Sequence, residues 1–185
     1  MSRPAVFLDR DGVINRAVVR DGIPHPPSSL EEVEILPGVH EALRTLEACG
    51  YARVIVTNQP DVARGSVSRA LVDGIHATLR RELPLDAILS CCHDDSDDCD
   101  CRKPKAGLLL RAARDFDIDL PGSFMVGDRW RDVEAGRRAG CRTFFIDRGY
   151  AETPPVGYDY RVGSLAEAVA IVLADAGMMA AGRSS

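Results

Sequence analysis

A chain of 185 residues, 45% hydrophobic, 28% charged and 5% aromatic, is sized for one soluble domain with an aliphatic core. Its net charge of -5 lacks the basic excess of a general nucleic-acid or anionic-membrane binder. No run of 18 apolar residues is present to span a bilayer, and Asp9 and Arg10 interrupt the first apolar run too early for a signal peptide. These features predict a cytoplasmic monomer without a nucleic-acid or membrane partner, in which clustered cysteines are metal ligands rather than disulfides.

Residues 5–9, AVFLD, form an apolar run that ends in acid. Val39, Ala42, Leu43, Leu46 and Ala48 recur at roughly helical spacing over 38–49, and Gly50 is the stop signal. ARVIVTN, 52–58, is continuous and β-branched, as a buried strand is. A helix is expected over 66–83, a strand over 87–92 and a helix over 106–116. SFMVGD, 123–128, is a second apolar run ending in acid. A helix over 131–140, stopped by Gly140, and a strand over 142–147 follow. Ser164 and Glu167 form a capping box for a last helix over 164–177. Residues 24–29, PHPPSS, read as irregular loop. One domain is expected over 1–177, with 178–185 as a flexible tail.

Apolar strands alternating with helices predict a three-layer α/β fold, a mostly parallel sheet with helices on both faces. Ligands then gather beyond the carboxyl ends of the strands. Here those ends are FLDRD, VTNQ, the stretch from CCH to CRKP, and VGD. Asp9 and Asp11 flank Arg10, and in extended backbone residues two apart share a side. Converging carboxylates repel unless a hard divalent cation such as Mg²⁺ intervenes. One can then act as nucleophile and the other as proton shuttle. Thr57 and Asn58 offer groups for a phosphate, Lys103 a cation, and Asp128 a further metal ligand. Singly, each has an ordinary reading: an Asx turn, a β-branched strand residue, a solvated lysine, and an N-cap for the helix beginning near Trp130. Together, each at a different strand end, they point to one site.

DRDGVIN, TNQ, CRKP and GDRWRD resemble the four ordered motifs of the haloacid-dehalogenase-type (HAD) phosphatases, over roughly residues 5–150. Within them the chain is most similar to the D,D-heptose bisphosphate phosphatases and the related histidinol-phosphate phosphatases. The resemblance implies a Rossmann-like fold, with Asp9 as the nucleophile that becomes an aspartyl-phosphate. It makes Asp11 the general acid/base, its backbone carbonyl also on Mg²⁺. Thr57 and Lys103 would stabilise the transferring group, and Asp9 and Asp128 would be the side-chain Mg²⁺ ligands. Arg102 would touch the substrate, as would Asn58, Gln59, Arg64 and Arg129. A carboxylate of ordinary pKa, about 4, needs no activating base at neutral pH.

Cys91, His93, Cys99 and Cys101 fall within 91–101. Three thiolates and one imidazole make a closed tetrahedral set, the makeup of structural Zn²⁺, against the alternative of free or redox thiols. Metal loops of the resembling family share this pattern. Cys92 competes with Cys91, which is preferred because Cys-x-His then matches. Cys49 and Cys141 read as small core residues, and the acids 94–98, DDSDD, as a solvated turn. A metal here would fix the loop just before Arg102 and Lys103 and hold both cations over the Asp9 pocket.

The gaps between Asp11 and the helix at 38, and between Thr57 and Lys103, leave no room for a separate cap domain. Specificity must then lie in the loops 16–29, 59–65 and 91–103. Ala63-Arg64-Gly65 follows the heptose enzymes, Pro60 departs from their usual Ser, and the short metal loop is more like the histidinol-phosphate enzymes. Arg64, Arg102 and Arg129 favour a doubly phosphorylated sugar, losing its 7-phosphate by the resemblance. Histidinol phosphate is the alternative. A nucleic-acid 3′-phosphatase is opposed by the acidic charge, and a non-catalytic binding module by the intact motif set.

Overall fold

Six strands run parallel in the order β5-β4-β1-β6-β7-β8: β1 Ala5–Leu8, β4 Ala52–Asn58, β5 Ala87–Cys91, β6 Phe124–Gly127, β7 Arg142–Ile146 and β8 Tyr160–Val162. Two short antiparallel strands, β2 Val18–Arg20 and β3 Ile23–His25, form a separate hairpin. The helices are α1 Val39–Ala48, α2 Arg69–Glu82, α3 Gly107–Phe116, α4 Trp130–Ala139 and α5 Leu165–Gly182. This computed structural model describes residues 2–182.

The alternation of the strands sorts the core into two layers. Val6, Leu8, Ile55, Phe124, Val126, Phe144 and Ile146 face one way, onto Leu43 and Leu46 of α1, Ile75 and Leu79 of α2, and Val169 and Val172 of α5. Ala5, Phe7, Val54, Val56 and Met125 face the other way, onto Leu108, Leu109 and Ala112 of α3 and Ala135 and Ala139 of α4. A sheet covered on both faces has no solvated side, which is why its strands read as unbroken apolar runs.

The first nine expected helices and strands agree with the structure to within about three residues at each end. Two elements carry no signal that was read. The β2–β3 hairpin turns at Asp21 and Gly22, both at positive φ, inside a stretch of mixed polarity. β8 is three residues long and owes its place to pairing with β7. Ser164 caps α5 by accepting from the Glu167 amide at 3.2 Å, while Glu167 reaches back to Gly163 N rather than to Ser164. α5 runs on to Gly182, through the first part of the expected tail, and residues 183–185 lie outside the described residues. Among the described residues, no helix is long and apolar enough to cross a membrane. Only the hairpin stands between β1 and α1, and no cap domain is inserted.

Cys141 is buried, but Cys49 is exposed at the C-terminal end of α1, so it is not a core residue. It stands three residues after Leu46, in step with the apolar stripe, but at the C-cap where the helix has already ended.

The Phe124 ring lies at the centre of the larger layer, 6.2 Å from the Tyr51 ring, 5.7 Å from Phe144, and with the Arg142 guanidinium 4.2 Å above it. Phe124→Ala should lower stability by about 3–5 kcal/mol. A urea melt should show the midpoint falling with the slope unchanged.

Candidate active site

β1, β4 and β6 are adjacent, so their carboxyl ends deliver Asp9, Thr57 and Asp128 to one spot. Asp9, Asp128 and Asp132 bring a carboxylate oxygen each to within 4.8 Å of one another, all three buried. Lys103 lies among them. Its ammonium donates to Asp9 Oδ1 at 2.7 Å, Asp132 Oδ1 at 2.5 Å and the Val56 carbonyl at 2.8 Å. Three donors thus meet three acceptors in a residue only 2% exposed. Asn58 fixes the backbone beneath: its amide donates to Lys103 O and accepts from Lys103 N, at 2.9 and 3.0 Å.

Three carboxylates beside one ammonium leave two uncompensated negative charges in a buried place. Burial pushes Asp9 up to about 6, against the pull of Lys103 and with Asp132 adding to the rise. That is above the ordinary value assumed from sequence. Burial, then Asp9 and Asp132, raise Asp128 well beyond the usual carboxylate range. Burial alone would discharge Lys103, but Asp132 and Asp9 outweigh it and raise its pKa. Tyr150 donates to Asp128 Oδ2 at 2.8 Å, while Asp128 Oδ1 is buried with no hydrogen-bond partner. An orphaned carboxylate oxygen facing two other carboxylates is the donor set a hard divalent cation takes. Asp128 therefore does not cap α4. Arg129 is the residue at the N-cap position, and the Asp132 carboxylate accepts from its amide at 3.1 Å.

The packing here leaves no space for side chains at two glycines. A Cβ on Gly12, at φ +86°, would fall 1.8 Å from Asp128 Oδ2, and one on Gly127 would fall 2.0 Å from Asp132 Cβ. Both acids can close on Asp9 because those positions are bare.

Asp11 is not part of the carboxylate cluster. Its oxygens accept from Arg10 Nε and Nη2 at 3.1 and 2.8 Å, Asn15 Nδ2 at 2.9 Å and Gln59 Nε2 at 3.0 Å. Burial raises its pKa, but Arg10 and these bonds outweigh it, so Asp11 is held below the usual carboxylate value. Gln59 also donates to Thr57 Oγ1 at 3.1 Å. Arg10 is wholly buried and its Nη1 donates to His76 Nε2 of α2 at 3.3 Å, which requires a neutral ring with its proton on Nδ1. Burial, then Arg10, bring His76 down to about 4.

A cavity of about 220 Å³ opens above this floor. Asp9, Asp11, Asn58, Gln59 and Lys103 line it, and Ile23–Pro26 of the hairpin and Arg64, Arg129 and Arg131 surround them. The Arg64 guanidinium donates to Asp94 at 2.5 and 3.0 Å, and Arg129 is paired with Glu152. Arg102 is turned away from this cavity. It donates to Asp95 at 2.7 and 3.3 Å and lines a neighbouring hollow with Asp94, Asp95 and Cys99. Asp94 and Asp95 are therefore arginine partners on a turn that is solvated as expected, with Asp95, Ser96, Asp97 and Asp98 exposed. Arg102 pulls Asp95 down to about 2, with Arg131 adding to it.

Cys91, His93, Cys99 and Cys101 converge. The sulfurs are 3.1, 3.4 and 3.6 Å apart, and His93 Nδ1 lies 3.3 and 3.6 Å from Cys101 and Cys91. A tetrahedron with Zn–S of about 2.3 Å has edges of about 3.8 Å, so the set suits a tetrahedral metal. Cys92 is outside it, its sulfur 3.8 Å from Arg69 Nη1.

A HAD-hydrolase-like family model matches residues 100–169. The D-glycero-β-D-manno-heptose-1,7-bisphosphate 7-phosphatase of Salmonella typhi is 41% identical over 160 residues, covering 80% of this chain and 81% of its own. The enzyme of the same name from Escherichia coli is 38% identical over 181 residues, 90% of this chain and 92% of its own. The crystal structure of D,D-heptose 1,7-bisphosphate phosphatase from B. bronchiseptica, complexed with magnesium and phosphate, superposes with a TM-score of 0.79 at 32% identity. That match covers 93% of this chain and 99% of the other. The chain belongs to the HAD-type phosphatase family of these heptose bisphosphate enzymes. It is a phosphatase.

Four residues of this phosphatase's site escaped the sequence reading. Asp132 reads only as an acid one turn after Asp128, and its hold on Lys103 depends on how α4 leaves β6. Tyr150 reaches Asp128 from the loop after β7. His76 looks like any residue of the inner face of α2. Arg131 follows the exposed Trp130, and its guanidinium lies 5.0 Å over that ring.

The His76 shift fixes a pH dependence. The unfolded ring takes a proton near 6.5 and the folded one near 4, so the unfolded state binds more protons between these values. Stability should therefore fall as pH drops from about 6.5 to 4, by up to about 3 kcal/mol from this group. Urea melts across that window should show a shallower fall in His76→Gln, which keeps an acceptor for Arg10 without a titrating ring.

Proposed function

We propose that the protein is a Mg²⁺-dependent phosphatase that removes the 7-phosphate of D-glycero-D-manno-heptose 1,7-bisphosphate through an aspartyl-phosphate. The observation that carries this is the Asp9–Lys103–Asp128–Asp132 cluster flooring an open cavity rimmed by arginines. Arg64, Arg129 and Arg131 suit a second phosphate better than the amine and imidazole of histidinol phosphate.

Asp9 attacks phosphorus with a carboxylate oxygen, and the bond to the sugar oxygen breaks. Lys103, already fixed against Asp9, offsets the charge that gathers on the phosphoryl oxygens. Thr57, held by Gln59, offers a hydroxyl to the same group. Asp11 protonates the departing oxygen and later takes a proton from the water that hydrolyses the acyl phosphate. The Arg10, Asn15 and Gln59 bonds favour its carboxylate form, the base that the second step needs, so the first step requires Asp11 to have taken up a proton before attack. Asp9, Asp128 and Asp132 would hold Mg²⁺, with the Asp11 carbonyl as a further ligand, and the bound ion supplies Lewis-acid stabilisation of phosphoryl charge. Cys91, His93, Cys99 and Cys101 would hold Zn²⁺ as a structural crosslink, since four protein donors leave no open position. The free thiols suit a reducing compartment, and we read the enzyme as a cytoplasmic monomer with a small-molecule substrate.

Phosphate release with Mg²⁺ should be fastest in kcat/KM for the heptose bisphosphate in a panel with fructose 1,6-bisphosphate, histidinol phosphate and a 3′-phosphorylated oligonucleotide. A preference for histidinol phosphate would overturn the substrate reading and make the metal-loop length the better guide. Asp9→Asn should abolish turnover with an unchanged circular-dichroism spectrum, and retained turnover would defeat the nucleophile assignment. Cys101→Ala should lose zinc, measured by metal analysis, and lower Tm. Unchanged zinc would show the ligand set to be wrong.

A further inference from the structure

Asp95 takes no part in the chemistry just described, yet it joins two arginines from separate elements by hydrogen bonds, with the Arg64 guanidinium a further 4.0 Å away. Arg102 of the metal loop donates to it through Nε and Nη2, at 2.7 and 3.3 Å. Arg131, in the first turn of α4, donates to it through Nη1 at 3.1 Å. Arg131 lines both the cavity over Asp9 and the neighbouring hollow that Arg102 lines.

The backbone under Asp95 is fixed without help from its own side chain. It starts the single 3₁₀ turn Asp95–Asp97, in which Asp94 accepts from the Asp95 amide at 2.8 Å and Asp97 accepts from the Asp94 amide at 2.7 Å. A carboxylate on such a turn is a stationary post. Two guanidiniums left alone repel each other and disperse on long flexible stems. A carboxylate between them offsets that repulsion and removes rotamer freedom before any ligand arrives. Arg131 meets Asp95 through one nitrogen only, so most of its planar fork is not engaged by this contact.

We propose that Asp95 is a specificity-determining positioning residue, whose carboxylate sets Arg131 so that the cavity over Asp9 favours substrates with a second anionic group, without itself touching substrate. This rests on the phosphatase reading and deepens it. A negative charge near an anion site also opposes anion binding. The inference is therefore that preorganisation outweighs repulsion, and the sign of the mutational effect decides it.

The test compares wild type and Asp95→Asn, both metal-loaded, on heptose 1,7-bisphosphate and on the heptose 7-phosphate monoester. KM for the bisphosphate should rise about tenfold, the scale expected when a long side chain loses its fixed pose. Its kcat should stay within about twofold, as should both parameters for the monoester. The emission of Trp130, the chain's single tryptophan, should change because Arg131 leaves its face. Asp95→Glu should recover part of the discrimination. Equal KM changes on both esters, or a lower KM for the bisphosphate, would overturn the proposal. So would loss of zinc in Asp95→Asn, since the carboxylate would then be holding the loop and not the arginines. A wild type inactive on both esters defeats the phosphatase reading itself, whereas an active wild type with unmoved discrimination defeats only this inference.

Discussion

The structure is organised around one buried ammonium. Lys103 meets Asp9, Asp132 and the Val56 carbonyl with all three protons, almost wholly buried at the floor of the cavity. Breaking such a cluster by removing one partner leaves an uncompensated charge in a poor solvent for it. The chain accordingly fixes Lys103 from several sides, with Asn58 clamping its backbone and the cysteine-rich loop preceding it. β1, β4 and β6 supply its partners because a parallel sheet presents all its carboxyl edges at one end. The two negative charges left over are those a divalent cation neutralises, so catalysis and charge balance make the same demand on the site.

Around that floor the rim is made of loops, and its cations are already spoken for. Arg64 rests on Asp94, Arg129 on Glu152, and Arg102 and Arg131 on Asp95. Partnered arginines keep their forks aimed at a fixed direction, at the cost of some net positive charge. With no cap to close over the cavity, fixed poses are the means left for recognising a particular anion.

Most of the fold was legible because its sheet is covered on both faces, which turns each central strand into an apolar word such as AVFL or VIV. The same geometry made Asp9, Thr57 and Asp128 legible, since each stands where such a word ends. The hairpin was not legible, because three-residue strands away from the core carry no apolar pattern. Asp132 and His76 were hidden for a different reason: each lies on a helix face, and its partner comes from another element. Arg102 was placed over Asp9 by its neighbour Lys103. Successive residues in a loop can point apart, and this one turns to Asp95.

The candidate metal donors are local: all four lie between Cys91 and Cys101. A crosslink spanning so few residues removes little chain entropy from the unfolded state, and the sheet's two apolar layers form without it. Losing that metal would loosen one loop more than it would unravel the domain. If those donors hold a metal, its loss leaves a folded scaffold that can be reloaded.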